Sequence, residues 1–248
     1  GLPGIVRTVY ADLASGIILS RWIDGDHVRN FTRAHFRSLF DTLFRMDQAG
    51  IMEYDLCSGN LLEARDGTMM LFDFGYAYPY DPMTQYNGDG LELPLFHPVE
   101  RFESRVFMQY LLDQGTGDGA PAPYREEKEE ALAYYRRKRE WLAAAGATRT
   151  VLDWVDGFIR AWETGLASAA GLADLYALES FRSYIMDLND DLHGQSCTPA
   201  TLRKADRILE ILGARFDFLQ GRGGLFWGDE TLSREELVRQ YTRKREDA

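Results

Sequence analysis

Long apolar runs, cysteine and, through its first half, lysine are what this chain has least of. No apolar stretch approaches the roughly 18 residues that cross a bilayer, and no basic segment followed by an apolar one opens the chain. A membrane span is excluded. The two cysteines, Cys57 and Cys197, are too few for a disulfide framework and favour a reducing compartment. The expected location is the cytoplasm, although a signal peptide removed upstream would leave the same sequence. His27, His35, His97 and His193 lack metal-ligand spacing, so a zinc site is not expected. Basic charge is also short. A formal net charge of −11 argues against nucleic acid or anionic lipid as partner and leaves a small molecule or a protein. No internal repeat or low-complexity tract occurs, and the oligomeric state is open.

What is present is a globular composition, with 45% apolar residues in 248. Residues 5–10 and 17–23 read as two strands joined by a turn, and the chain then leaves through Asp24-Gly25-Asp26. Thr32 is a natural N-cap, Phe36, Leu39, Phe40, Leu43 and Phe44 recur at helical spacing, and Gly50 sits where a C-terminal cap belongs. Residues 76–98 have no sustained period and read as a long irregular segment. The remainder is helical, with an exposed break at Gly115–Pro123. A charged helix over Tyr124–Ala145 carries Glu126, Glu127, Glu129 and Glu130 early and Arg136, Arg137, Lys138 and Arg139 late, an order that suits the helix dipole and reads as a solvated face. Further helices are expected at about 151–168, 172–191, 200–213 and 233–244.

Asp55, Asn60 and Asp73 carry the chemistry. They lie in Tyr54-Asp55-Leu56-Cys57-Ser58-Gly59-Asn60 and Phe72-Asp73-Phe74-Gly75, on either side of Asp66-Gly67, a two-residue hairpin signal between apolar runs. With the turn centred there, Asn60 and Asp73 face each other, which brings facing Cβ atoms to roughly 4.5–5.5 Å. One amide oxygen and one carboxylate then converge, leaving most of a Mg²⁺ shell to water and phosphate. Asp55, just ahead of the hairpin, is positioned to orient and deprotonate an attacking hydroxyl. Cys57, without a nearby basic partner, reads as a packed thiol.

These residues resemble the protein-kinase-like superfamily, which includes protein kinases and the aminoglycoside and choline phosphotransferases. Tyr54-Asp55 through Asn60 looks like the catalytic loop, and Asp73-Phe74-Gly75 matches the metal-binding motif letter for letter. The resemblance covers roughly residues 17–75, with a weaker echo at His97-Pro98-Val99-Glu100 that would close an activation-type segment. It implies an α+β, mostly α fold: a kinase-like large lobe with a short catalytic β-hairpin and a truncated N-terminal β portion. Residues 1–25 would be the remnant of a small lobe and interlobe linker, and 26–248 the helical large lobe. It further implies Asp55 as catalytic base, Asn60 and Asp73 as Mg²⁺ ligands, and a linker at Leu19–Gly25, including Leu19, Arg21 and Trp22, that meets the adenine of ATP. The implied reaction moves the ATP γ-phosphoryl to a hydroxyl of a small molecule or protein.

The departures define the alternatives. Glu53 stands where the family usually has a mainly structural His, and Cys57 where it carries Lys or His. No Gly-rich phosphate loop precedes the linker, and the first lysine is Lys128. A fragment, a reduced small lobe and a catalytically altered member all fit this pattern. Arg7 and Arg21 are within reach of a phosphate role but read more simply as surface or salt-bridged residues. Two rival functions follow: an inactive pseudokinase that serves as a protein-binding scaffold, and an ATP-dependent transferase of another group such as adenylyl.

Overall fold

The computed structural model describes residues 2–115 and 120–248. It is α+β and mostly helical. In chain order it contains β1 (Thr8–Asp12), β2 (Ile17–Ser20), β3 (Gly25–Asp26), α1 (Arg33–Gln48), β4 (Ile51–Glu53), β5 (Leu61–Ala64), β6 (Met69–Leu71) and β7 (Ala77–Pro79). Then come α2 (Pro98–Phe102), a π-helical turn (Glu103–Phe107), α3 (Met108–Asp113), α4 (Ala122–Ala145), α5 (Arg149–Leu166), α6 (Ala169–Gly194), α7 (Pro199–Gly221) and α8 (Arg234–Asp247). Part of the break expected at Gly115–Pro123 lies outside the described residues. The chain forms two compact units, Gly1–Phe102 with Ala122–Leu166, and Glu103–Pro121 with Ala167–Ala248. The first 25 residues belong to the first unit, together with the hairpin.

The first unit is organised on α1. Thr32 is extended at φ −124° and its N–H donates to His35 Nδ1 at 3.3 Å, which fixes the helix start. Gly50, at φ +67°, turns the chain out of the helix in a conformation that a Cβ disfavours. Between them Phe36, Leu39, Phe40, Leu43 and Met46 are buried, each contributing about 1.5–3 kcal/mol of transfer free energy. Phe36 and Phe40 meet the edge of Phe102 at 6.2 and 6.1 Å, and Phe40 stacks on Tyr134 of α4 at 5.8 Å.

Polar groups are buried in this packing as well, Thr42 and Asp47 of α1 among them. The Asp47 carboxylate is buried and accepts hydrogen bonds from Tyr80 Oη at 2.7 Å, Lys138 Nζ at 2.9 Å and Tyr134 Oη. A buried carboxylate is tolerable only with such partners. It ties α1, α4 and the segment after β7 together. The solvated-face reading of α4 therefore needs correction. Arg136 and Arg137 are exposed as expected, but Glu127, Lys128, Glu130 and Lys138 are buried. Lys128 lies 4.8 Å from the ring centre of Trp162, and Glu130 receives Arg33 and Arg37 of α1. The charge order along a helix says nothing about its faces, and here one face is exposed while aromatic rings and ion pairs cover the charged residues of the other.

Three small sheets position the rest. β1 and β2 form an antiparallel ribbon, β3, β5 and β6 a three-stranded sheet in that order, and β4 pairs with β7. The hairpin of β5 and β6 has a register one residue away from that expected: Leu61 faces Leu71, Leu62 faces Met70 and Glu63 faces Met69. Arg65, Asp66 and Gly67 form a three-residue loop, with the Gly67 N–H donating to the Ala64 carbonyl at 2.9 Å and Gly67 at φ +82°. The core selects this register. Leu61 and Leu71 are both buried and must share a face, whereas a slip of one would set Leu71 opposite Leu62, whose face lines a cleft.

In the second unit α6, α7 and α8 pack in sequence. Thr198 caps α7 with Pro199 at its first turn, and the Ser233 hydroxyl accepts from the Glu236 N–H at the start of α8. α7 runs eight residues beyond its expected end, through an irregular residue, Arg215, at φ −136°. Asp187 of α6 is buried and paired with Arg105 at 2.9 Å and with Lys204 of α7. No helix among the described residues is long and apolar enough to cross a membrane.

Candidate active site

A cleft of about 770 Å³ opens in the first unit. The segment before β1 runs parallel to β6, with the Val6 N–H donating to the Leu71 carbonyl at 2.9 Å and the Leu71 N–H to the Gly4 carbonyl at 2.8 Å. The ribbon returns to it where the Arg21 N–H donates to the Arg7 carbonyl at 2.9 Å. β3 then pairs with β5, Gly25 opposite Ala64. Val6, Ile18, Ile23, Leu62, Phe72 and Phe74 give the cleft apolar walls, while Arg21, Asp26, His27 and Asp73 supply its polar groups. Gly25 is required at this crossing. A Cβ there would lie 2.3 Å from the Glu63 carbonyl oxygen.

Of the residues expected to contact a nucleotide, Arg21, Trp22 and Asp73 line the cleft, and Leu19 and Asn60 do not; Asp55, the expected base, is not among its lining residues either. Leu19 is half-exposed on the ribbon, and Trp22 is 92% exposed, so its ring is a rim rather than a wall.

The facing of Asn60 and Asp73 is corrected by the register. Asn60 stands opposite Phe72, whose N–H donates to the Asn60 carbonyl at 3.2 Å. Asp73 is one position further on and leaves the strand at φ +59°, a left-handed conformation unusual for a residue with a side chain. Pleat alternation therefore does not set where its carboxylate goes. Such backbone conformations persist where the surroundings hold them and cluster at functional sites.

Asn60 is instead joined to Asp55. Its Nδ2 donates to the Asp55 backbone carbonyl at 3.0 Å and to Asp55 Oδ2 at 3.2 Å, across the short 3₁₀ turn Ser58–Asn60. The amide nitrogen is thus spent on the loop, and the amide oxygen Oδ1 faces away from that bond.

Glu53, which the sequence marks only as a departure from the family's His, touches the Asp55 loop directly. It ends β4, is 4% exposed, and its Oε1 accepts the Asp55 N–H at 2.8 Å. Its Oε2 is buried with no hydrogen-bond partner among the described residues. Burial pushes this carboxyl above its ordinary range, and the negative charges of Asp55 and Asp73 push it the same way, against the lowering effect of the Asp55 N–H. The available signal was the acidic residue two before Asp55, at a position read as merely structural.

The donor set suits Mg²⁺ in kind, since the Asp73 carboxylate and Asn60 Oδ1 are hard oxygens and a nucleotide-bound ion takes most of its shell from phosphate and water. Among the described residues no three His, Cys, Asp or Glu side chains converge to hold a metal by themselves. Such an ion would depend on a bound phosphate. Tyr54, beside the loop, donates to Asp89 Oδ2 at 2.6 Å, and Asn87 Nδ2 bonds the Leu93 and Phe96 carbonyls at 2.9 and 2.8 Å, which pins the irregular segment between β7 and α2.

No protein-family model, curated protein or solved structure matches this chain.

Proposed function

We propose that the chain is a kinase-like phosphotransferase that binds ATP in the cleft and moves its γ-phosphoryl to a hydroxyl of a small molecule or protein. The observation that carries this reading is Asp73: it stands in the wall of an apolar cleft large enough for a purine and leaves its strand in a left-handed backbone conformation of the kind that clusters at functional sites. The apolar walls suit the faces of a base, and Arg21 offers a planar cation to a phosphate chain. Asp55, held by the Asn60 amide and by Glu53, accepts the proton of the attacking hydroxyl. Asp73 and Asn60 Oδ1 would hold Mg²⁺, which when bound neutralises charge on the phosphates. The mostly helical fold with a short β-hairpin between the two motifs supports the kinase-like large-lobe reading.

The test is thermal stabilisation by ATP with Mg²⁺, followed by incubation with γ-labelled and α-labelled ATP. Stabilisation and transfer of the γ label are expected. Transfer of the α label would identify adenylyl transfer instead.

A scaffold function is favoured by one observation, the exposed apolar ribbon. Val9, Tyr10, Leu13, Ile17, Ile18 and Leu19 are each about half-exposed or more. A folded chain that ignores millimolar ATP and Mg²⁺ would support this second reading.

A further inference from the structure

We propose that the second unit carries a binding site for a monosaccharide phosphate, built from the Trp227 turn, α6 and one face of α8. The site lies outside the cleft described above and does not rest on the phosphotransfer reading.

The site is a cavity of about 310 Å³ lined by Asn189 of α6, Trp227, Asp229, and Gln240, Tyr241 and Lys244 of α8. Leu232 and Gln240 also line an adjoining groove of about 400 Å³, in which Arg239 and Arg243 stand. One compartment is aromatic and densely polar, and the next is cationic.

The polar groups of the first compartment are held in place. Asp229 is buried and accepts from Gln240 Nε2 at 2.9 Å and Tyr241 Oη at 2.5 Å. Lys244 Nζ donates to Asn189 Oδ1 at 2.8 Å and lies 4.9 Å from the Tyr241 ring centre. An ammonium has three donors, and among the described residues the hydrogen bond to Asn189 takes one of them. Burial draws Lys244 below the ordinary lysine range, with Asp229 opposing. Asp229, Asn189 and Gln240 thus offer fixed acceptors and amide donors around a small space.

Trp227 is the unusual wall. It adopts φ +58° and is half-exposed, followed by Gly228 at φ +96°. A bulky side chain in the left-handed region is strained, and the Trp227 ring is held there with its plane at 78° to the Phe226 ring, 5.0 Å between centres. An indole held at the mouth of a polar cavity offers a flat face to the C–H surface of a saturated ring.

The two compartments together define the ligand class. Hydroxyls both donate and accept, so a hydroxylated ring satisfies carboxylate, amide and ammonium at once. A sugar alone leaves the arginines without use, and inorganic phosphate alone leaves the indole without use. The arginine fork matches phosphate oxygens, and Arg239 and Arg243, four residues apart on α8, both line the groove. Glu236, the acidic group in the groove, is turned to the Ser233 N–H at 2.8 Å.

The experiment is titration of the full chain with glucose 6-phosphate, fructose 6-phosphate, ribose 5-phosphate, their parent sugars and inorganic phosphate, read by calorimetry and by tryptophan fluorescence. At least one sugar phosphate should saturate the site and bind roughly tenfold tighter than its parent sugar and than inorganic phosphate. Arg243→Gln, an exposed change, should weaken the sugar phosphate about tenfold and leave the parent sugar unaffected. Trp227→Asn, which suits the left-handed backbone, should keep the melting temperature and lose binding. Absence of saturation by all three sugar phosphates at about 10 mM overturns the proposal. Equal binding of inorganic phosphate, or unchanged binding in Trp227→Asn, overturns it as well.

Discussion

The side-chain amide of Asn60 is bonded to Asp55, donating to its carbonyl at 3.0 Å and to its carboxylate at 3.2 Å. This bond closes the loop that carries the proposed base. Asn60→Asp would replace the donor with a second carboxylate. The variant should melt below the parent, and the deficit should shrink as added salt screens the two carboxylates. A melting deficit independent of salt would show that charge repulsion is not the cause.

Asp55→Asn and Asp73→Ala separate proton transfer from nucleotide binding. The first should lower turnover by about 10²–10⁴-fold with ATP-dependent stabilisation retained, and the second should remove Mg²⁺-dependent stabilisation. If turnover survives both changes, the phosphotransfer mechanism is wrong.

Glu53 gives the molecule a pH signature. Burial raises this carboxyl in the folded chain above its ordinary 4.5, so the folded form holds the proton more tightly than the unfolded form. Stability contributed by the protonated acid is therefore lost as pH rises from the ordinary value through the raised one. Glu53→Gln keeps the acceptor for the Asp55 N–H and cannot ionise. It should flatten that slope in denaturant unfolding measured across the acid range. An identical slope in both proteins would assign the pH dependence to another group.

Gly25 and Gly16 make a controlled pair. A Cβ at Gly25 meets the Glu63 carbonyl oxygen at 2.3 Å, whereas at Gly16, φ +65°, it meets nothing within 4 Å. Gly25→Ala should cost about 1–3 kcal/mol and weaken ATP binding by disturbing the cleft, and Gly16→Ala about 1 kcal/mol with binding unchanged. Equal effects on binding would separate the cleft from nucleotide recognition.

Asp47→Ala should be the most damaging single change in the first unit, at roughly 3–5 kcal/mol, because it strands the buried Lys138 ammonium. Adding Lys138→Met should recover part of the loss in urea unfolding. A double variant no better than the single would assign the cost to the tyrosine hydroxyls.

Much of the helical framework was legible because its signals are local. Thr32, Gly50, Thr198-Pro199 and Ser233 mark helix ends that occur within one or two residues of those positions. Register was not legible. Asp66-Gly67 indicates a hairpin, but the choice between a two-residue and a three-residue loop was made by Leu61 and Leu71 against the core. The burial of Lys128 and Lys138 was invisible for a similar reason, since their partners, Trp162 and Asp47, are distant in sequence. The candidate Asp55 and Asp73 motifs were read from residue type and spacing alone. The role of Glu53 needed coordinates, because only they show it to be buried beside the loop.

The ribbon of β1 and β2 is wet on both sides, and a two-stranded hairpin gains too little from its own side chains to hold its form alone. Its shape is borrowed from the neighbouring cleft through Thr8, Ile18 and Ser20. Any molecule that settles among those side chains should therefore quieten the ribbon's far tip near Leu13, making amide exchange there a distant reporter of occupancy.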